Sequence, residues 1–132
     1  KNIFTVLVNS KDQLLVEEEY MDIEQLRGAA KRFVNNNGDG SCDYCTGALR
    51  SPTSSVNPEK AIISLQNDRG TSYETYIAVQ NELAAAYNGL REDLAQRRYG
   101  VSYKDLGEEA RKEIKDAYPQ KISEAEPVSL GN

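Results

Sequence analysis

The chain has 132 residues, of which 39% are hydrophobic and 28% charged, and its formal net charge is −5. These values are typical of one globular domain with a conventional core. An acidic chain without clustered Lys and Arg cannot neutralise phosphates, so no nucleic-acid partner is expected. The chain contains no histidine, which excludes a Ser-His-Asp or Cys-His nucleophilic system within it and removes the commonest metal ligand.

The first 20 residues predict a β-hairpin. Residues 3–8 (IFTVLV) are β-branched, aliphatic or aromatic and are typical of a buried strand. Turn-forming residues occupy positions 9–12, and the apolar pattern resumes at 14–16. The side chains of the glutamates at 17–19 would then be solvated at the end of the second strand and would protect a sheet edge against unwanted pairing.

A capped helix and a long loop follow the hairpin. Asp22 and Gln25 form a capping-box pattern, and apolar residues at helical spacing predict a first helix over 23–34. Residues 35–58 are rich in Asn, Gly, Ser, Thr and Pro and contain few apolar side chains. They predict a long surface loop that is mobile and dispensable for folding.

The second half of the chain begins with a strand and a long helix. Residues 61–65 (AIISL) predict the strand, and Thr71 with Glu74 forms a second capping box, T-x-x-E, with Thr71 as the N-cap. The stripe of aliphatic and tyrosine side chains that follows predicts a helix over 72–96. A tyrosine stripe of this kind is more typical of packing than of a cofactor site.

The last third of the chain predicts a short charged helix stopped by Pro119 and a final edge strand over 121–125. The element order is therefore β-β-α-β-α-α-β. This order predicts an α/β fold of the α+β type, a two-layer sandwich with helices on one face of a small mixed sheet. Residues 1–132 are expected to form a single domain, with a long loop insertion at 35–58 and a helical insertion at 97–119.

Cys42 and Cys45 form a C-x-x-C pattern. In a thioredoxin-type enzyme this pattern lies between a strand and a helix N-terminus, where the helix dipole lowers the thiol pKa. Here the pattern lies within a predicted loop, so a local disulfide in an oxidising compartment, or two free thiols, is favoured over a redox centre. A structural zinc site needs four ligands, and two thiols without histidine cannot supply them within one chain.

Part of the loop resembles a calcium-binding pattern. Residues 35–43 partly match D-x-N-x-D-G, and a predicted helix precedes them as an EF-hand requires. Position one is Asn35 instead of an aspartate, position twelve is Thr46 instead of a bidentate glutamate, and no helix is predicted to follow. A polar loop is the favoured interpretation, and the sequence predicts no metal or cofactor.

One region resembles a known family. Residues 61–83 (AIISLQNDRGTSYETYIAVQNEL) are similar to the ExbD/TolR signature of a strand, a short polar turn and a helix, with a D-x-x-x-x-Y-E pattern at Asp68, Tyr73 and Glu74. The opening LLVEEEYMDIEQLR resembles the first strands and capped helix of the family. The closing QKISEAEP is similar to longer ExbD-like chains of the Bacteroidetes type. The likeness covers most of the chain.

The resemblance implies the periplasmic domain of an inner-membrane protein that belongs to a proton-driven transport motor. A single membrane helix with a proton-binding Asp would precede Lys1, so the full-length protein would be membrane-anchored and its proton carrier would lie outside this sequence. The partners implied are an ExbB-like membrane protein and a TonB-like energy transducer that receives energy for outer-membrane uptake. The domain would act as a homodimer and would not be an enzyme.

Such a module would bind an extended partner segment by strand addition at a sheet edge. The first candidate edge consists of Leu14, Leu15 and Val16, and the second of Ile122, Ser123 and Glu124. Two alternative functions remain open. One is a TolR-like module that contacts the cell wall, and the other is a secreted thiol oxidoreductase that uses Cys42 and Cys45.

Overall fold

The computed structural model describes residues 2–47 and 51–127. Its strands are β1 (Ile3–Val8), β2 (Leu14–Val16), β3 (Glu19–Met21), β4 (Ile62–Asn67) and β5 (Ile122–Glu124). Its helices are α1 (Ile23–Val34), α2 (Tyr73–Tyr99) and α3 (Glu108–Ala117), with a 3-10 turn at Tyr103–Asp105. The predicted α+β class is confirmed.

The five strands form one mixed sheet in the order β3-β2-β1-β4-β5. The pairs β1–β2 and β2–β3 are antiparallel, and the pairs β1–β4 and β4–β5 are parallel. Parallel neighbours cannot be joined by a tight turn and need a crossover. Here α1 and the following loop lead into β4, and α2 and α3 lead from β4 to β5.

The core lies on one face of the sheet. Side chains alternate between the two faces of a strand, and along β1 the even positions are buried whereas the odd positions are not. The even positions of β2 and the odd positions of β4 continue the buried layer, which the helices complete. The opposite face carries half-buried and exposed side chains, among them Ile3, Ile62 and Tyr20.

The strand β3 was missed by the sequence analysis. It pairs with β2 through a two-residue turn at Glu17 and Glu18, whose φ values of 50° and 70° match a type I′ hairpin. Turns of this type usually carry Asn-Gly or Asp-Gly, and glutamate is uncommon at positive φ. The sequence therefore contains no residue pattern that would predict this turn. Because β2 lies between β1 and β3, the prediction that Leu14, Leu15 and Val16 form a free edge is wrong.

The first helix begins and ends where predicted, and the start of the second differs by one residue. The Asp22–Gln25 capping box is present, with Asp22 N–H donating to Gln25 Oε1 at 3.3 Å. The N-cap of α2 is Ser72, not Thr71 as predicted, because Ser72 Oγ accepts the Thr75 N–H at 3.2 Å. The Thr71 hydroxyl instead contacts the main-chain carbonyls at the end of β1, at 3.1 Å.

The segment predicted as a helical insertion packs on the core. Gly100 ends α2 in the left-handed conformation, with φ 70°. The helix α3 buries Ile114 and leads into Tyr118, which is also buried. The Arg91 guanidinium of α2 donates two hydrogen bonds to Tyr118 O, at 3.0 and 2.9 Å, and so ties the end of α3 to α2. No helix in the described ranges is both long enough and apolar enough to cross a bilayer.

The described parts of the loop, 35–47 and 51–58, are held by hydrogen bonds to buried side chains, contrary to the prediction that nothing pins the loop down. That the loop is dispensable for folding stays a prediction. Asn36 is only 4% exposed, and its amide nitrogen donates to Ser55 O at 2.9 Å and Ser51 O at 3.0 Å. Its amide oxygen accepts Ser51 N–H at 2.8 Å. Asn37 likewise pairs with both main-chain groups of Cys42 at 3.0 Å. Buried amides therefore take the place of the apolar anchors that the loop lacks.

Asn35 links the same loop to the C-terminal third of the chain. Its amide nitrogen donates to Thr46 Oγ1 at 2.6 Å, and its amide oxygen accepts the Tyr118 hydroxyl at 2.7 Å. Three consecutive asparagines at the end of α1 thus organise the loop. An anchor made of polar side chains leaves no apolar periodicity in the sequence.

The Ser72→Ala variant tests the observed cap of α2. It removes the hydroxyl that accepts the Thr75 N–H, so we expect the free energy of unfolding to fall by about 1 kcal/mol. The Ser72→Asp variant keeps a side-chain acceptor and should retain wild-type stability. Urea denaturation measures both differences, and equal midpoints for wild type and Ser72→Ala would contradict this role of Ser72.

The Asn36→Ala variant tests the anchoring of the loop. It removes three hydrogen bonds to main-chain groups of part-buried Ser51 and buried Ser55, although Ser55 O keeps the Gly38 N–H as a donor. We therefore expect a loss of about 2 kcal/mol in the free energy of unfolding. Asn57→Ala is the matched control, because the hydrogen bonds of Asn57 are exposed, and a change within about 0.5 kcal/mol is expected. A loop that does not support the fold would give both variants the same stability.

Candidate functional site

The strand β5 is an edge strand of the sheet, and within the described residues it pairs only with β4. Ile63 N–H donates to Lys121 O at 2.9 Å, and Ala125 N–H donates to Leu65 O at 3.0 Å. These two hydrogen bonds mark the ends of the pairing. They also establish which main-chain groups of β5 face the sheet.

Main-chain groups that face a parallel neighbour alternate along the strand. Since positions 121 and 125 face β4, Ser123 faces β4 as well. The N–H and C=O groups of Ile122 and Glu124 therefore point away from the sheet. The prediction of an edge strand at the C-terminus is confirmed, and its outward-facing main-chain groups belong to Ile122 and Glu124.

A groove of about 400 Å³ runs between this edge and α2. It is lined by Gln80, Asn81, Ala84, Gln120, Ile122 and Glu124. Gln80 lies on the α2 wall, and its amide nitrogen donates across the groove to Glu124 Oε1 and along its own helix to Tyr76 Oη, the latter at 2.9 Å. The groove is thus rich in side-chain amides and has one carboxylate at its rim. The sequence analysis did not identify Gln80, which occupies an ordinary position on the helix stripe.

The opposite edge strand, β3, is also three residues long, and its surroundings are more acidic. Beside it lies a cleft of about 670 Å³ bordered by the N-termini of α1 and α2. Its carboxylates belong to Asp12, Asp22, Glu24 and Glu74. Alternation from the β1–β2 ladder leaves only the main-chain groups of Tyr20 pointing outward from β3, so this edge offers fewer pairing groups than β5.

The family-motif residues occupy one turn and the surface next to it. Asp68 is buried at the end of β4, where its carboxylate accepts Gly70 N–H at 2.7 Å and shapes the turn into α2. Tyr73 is 76% exposed in the first turn of α2, and Glu74 lines the acidic cleft. The motif thus combines one structural aspartate with two exposed side chains.

Cys42 and Cys45 form a disulfide with a Cα–Cα distance of 5.6 Å. Of the two states that the sequence left open, the bonded one is observed. Cys42 is 5% exposed, whereas Cys45 is half-buried. The pair lies in the loop between α1 and β4 and does not start a helix, unlike the C-x-x-C pair of a thioredoxin-type enzyme.

The disulfide turn holds Tyr44 against the C-terminal end of α3. The Tyr44 hydroxyl donates to Ala117 O, and its ring meets Tyr118 edge-on with a centroid separation of 5.3 Å. Burial raises the pKa of Tyr118 to about 12. Tyr44 is the only aromatic residue in 35–58. An isolated aromatic in a polar loop is the one sequence signal that would have identified it.

The side chains that resembled a calcium loop do not converge. The amides of Asn35 and Asn37 bind the loop and Tyr118, as described above. Asp39 Oδ1 accepts hydrogen bonds from Ser41, at 2.9 Å from the main-chain nitrogen and 2.6 Å from the hydroxyl. In the described parts of the chain, no group of three or more His, Cys, Asp or Glu side chains could hold a metal ion.

Comparison with protein-family models gives no match, and no curated protein matches the sequence. The resemblance to the ExbD/TolR family stays a prediction from the residues quoted above.

Alkaline unfolding tests the buried Tyr118 hydroxyl. The pKa of Tyr118 is about 12 in the folded chain, against an ordinary value of 10.0. The folded chain therefore binds this proton more tightly, so the stabilisation is complete below pH 10 and is lost as the pH rises towards 12. We expect the free energy of unfolding to fall by up to about 1.4 kcal/mol per pH unit from this group in that window.

The Tyr118→Phe variant is the control for this titration. Denaturation at several alkaline pH values, with tyrosinate absorbance recorded in parallel, should show a shallower decline for the variant. Identical slopes for the two proteins would contradict the assignment to Tyr118.

Proposed function

We propose that this domain is a non-enzymatic binding module that takes up an extended partner segment by strand addition at β5. The observation that carries the proposal is the outward-facing main-chain edge at Ile122 and Glu124 beside the groove along α2. Main-chain hydrogen bonds would supply affinity, and the groove would select side chains of the added strand.

The alternation of an added strand assigns its side chains to two environments. Every second side chain would point to the helix side, above the Gln80–Glu124 contact and Ala84, and the others would extend the uncovered face of the sheet. The groove offers three amides and one carboxylate beside the apolar side chains of Ala84 and Ile122. It therefore suits small or polar side chains, with a cationic one placed beside Glu124.

The edge at β5 suits this role better than the edge at β3. An added strand at β3 would find outward-facing main-chain groups at Tyr20 alone, before the chain enters α1 at Asp22. The glutamates beside β3 also place negative charge along that edge, which is a common guard against strand pairing. At β5, pairing groups are available at two positions.

The wider role that we propose is the periplasmic domain of an inner-membrane, proton-driven transport motor of the ExbD/TolR kind. The extended segment would then belong to a TonB-like energy transducer, and an ExbB-like protein would be the partner in the membrane. A homodimer formed through the same edge is the second occupant that this geometry accepts. The support for this wider role is the resemblance of residues 61–83 and the edge geometry described above.

The Glu124→Pro variant tests the proposed edge. Proline removes the N–H of Glu124, one of the two outward-facing donors of β5, and leaves the hydrogen bonds to β4 in place. We expect chemical-shift changes at residues 121–125 when isotope-labelled wild-type chain is titrated with peptides that tile the periplasmic part of a TonB-like protein. The proline variant should lose these changes while its other resonances keep the wild-type fold.

Glu124→Ala is the matched control, because it removes the contact with Gln80 but keeps the main-chain donor. It should retain most of the binding. Equal binding by the folded proline variant, or shift changes centred on β3, would remove β5 as the binding edge. Running the same titration with unlabelled copies of the chain would distinguish self-association from partner binding.

A further inference from the structure

A few contacts hold residues 42–46, in the middle of the loop 35–58, in place. Cys42 is fixed from one side by the amide of Asn37, and Thr46 from the other by the amide of Asn35. Between these two anchored positions the chain is held by the Cys42–Cys45 disulfide and by the contacts of Tyr44.

Tyr44 joins this turn to two helices. Its hydroxyl donates to Ala117 O in the last turn of α3. Its own carbonyl oxygen accepts a hydrogen bond from Arg97 Nη1 of α2 at 3.1 Å. Its ring packs on Tyr118, which is fully buried. If Tyr44 left this position, the ring of Tyr118 and the last carbonyls of α3 would lose their cover.

The two sulfur atoms differ in their surroundings. Cys42 is buried, whereas Cys45 is half-buried and is followed by the exposed Thr46. A thiolate that attacks a disulfide needs access to one of its sulfur atoms. Because Cys45 is the less buried of the two residues, attack is expected at Cys45 Sγ, with Cys42 as the leaving group.

We propose that the Cys42–Cys45 disulfide is a redox-sensitive latch that holds Tyr44 against the end of α3 and releases it on reduction. A dithiol reductant would attack Cys45 Sγ and form a mixed disulfide, with Cys42 leaving as a thiolate that takes up a proton. The second thiol of the reductant then attacks its own mixed-disulfide sulfur and releases Cys45. Two electrons pass to the protein, two cysteine thiols form, and the reductant becomes a disulfide.

Release of Tyr44 would affect the turn at 42–46, the end of α3 and the connection to β5. Reduction lengthens the allowed path between the anchored positions 42 and 46, so the three contacts of Tyr44 must then order the turn alone. Tyr118 lies four residues before Ile122, the first residue of β5, and loosening the end of α3 therefore reaches the connection to that strand.

Hydrogen exchange measured by mass spectrometry tests the latch on the whole chain, with and without a dithiol such as dithiothreitol. We expect reduction to speed amide exchange about tenfold in residues 42–47 and 115–121, with exchange in β1 and β4 unchanged. Faster exchange limited to residues 42–45 would overturn the latch, since the disulfide would then act only on its own turn. A uniform increase across the sheet would overturn it as well, since the disulfide would then be a general staple.

Variants separate the latch from a loss of folding. Oxidised Tyr44→Ala should show the fast exchange at 115–121 without reductant, because the side chain that transmits the effect is missing. Tyr73→Ala is the matched control, since Tyr73 is highly exposed, and it should behave as wild type. The double variant Cys42→Ala/Cys45→Ala should exchange like the reduced chain and should not respond to reductant. If oxidised Tyr44→Ala keeps slow exchange at 115–121, the disulfide does not act through Tyr44 and the proposal fails.

Discussion

The parallel pairing of β1 with β4 at the centre of the sheet is the constraint on which the rest of the structure depends. Parallel neighbours require a connection that leaves the sheet and returns to its starting end. The chain between Val8 and Ile62 makes that return through the hairpin, α1 and the long loop, and the chain between β4 and β5 makes a second one through α2 and α3. Because the helices of both connections complete one buried layer, the sheet has a single apolar core face.

This one-sided arrangement explains where a partner could bind. The apolar side chains on the core face of the strands pack against the helices, so neither edge has to be covered for the core to form. The two edges then differ through their local chemistry. Charged residues and a tight turn surround β3, whereas β5 lies beside a groove lined by amides of α2 and of the segment that precedes β5. The same helix that completes the core therefore provides one wall of the candidate site.

Buried asparagine amides order the long connection between α1 and β4. A long connection with few apolar residues would ordinarily remain loosely ordered. Here Asn35, Asn36 and Asn37 directly follow α1, and the side chain of each forms a hydrogen bond to a different part of the loop. The loop so ordered presents the Cys42–Cys45 turn and Tyr44 to α3. A polar segment thereby becomes part of the packing between distant elements.

The sequence by itself determined the elements whose signals are local. The capping box at Asp22, the apolar stripe of α2 and the break at Gly100 depend on residues within a few positions of one another, and they led to the right helices and fold class. Tertiary structure decided which strand lies at an edge, because pairing partners such as Leu14 and Met21, or Ile63 and Ile122, are set by the whole sheet. It also decided the roles of Asn36, Tyr44 and Gln80, whose partners are distant in sequence. Their side chains look like ordinary loop and helix residues until folding brings those partners within hydrogen-bonding distance.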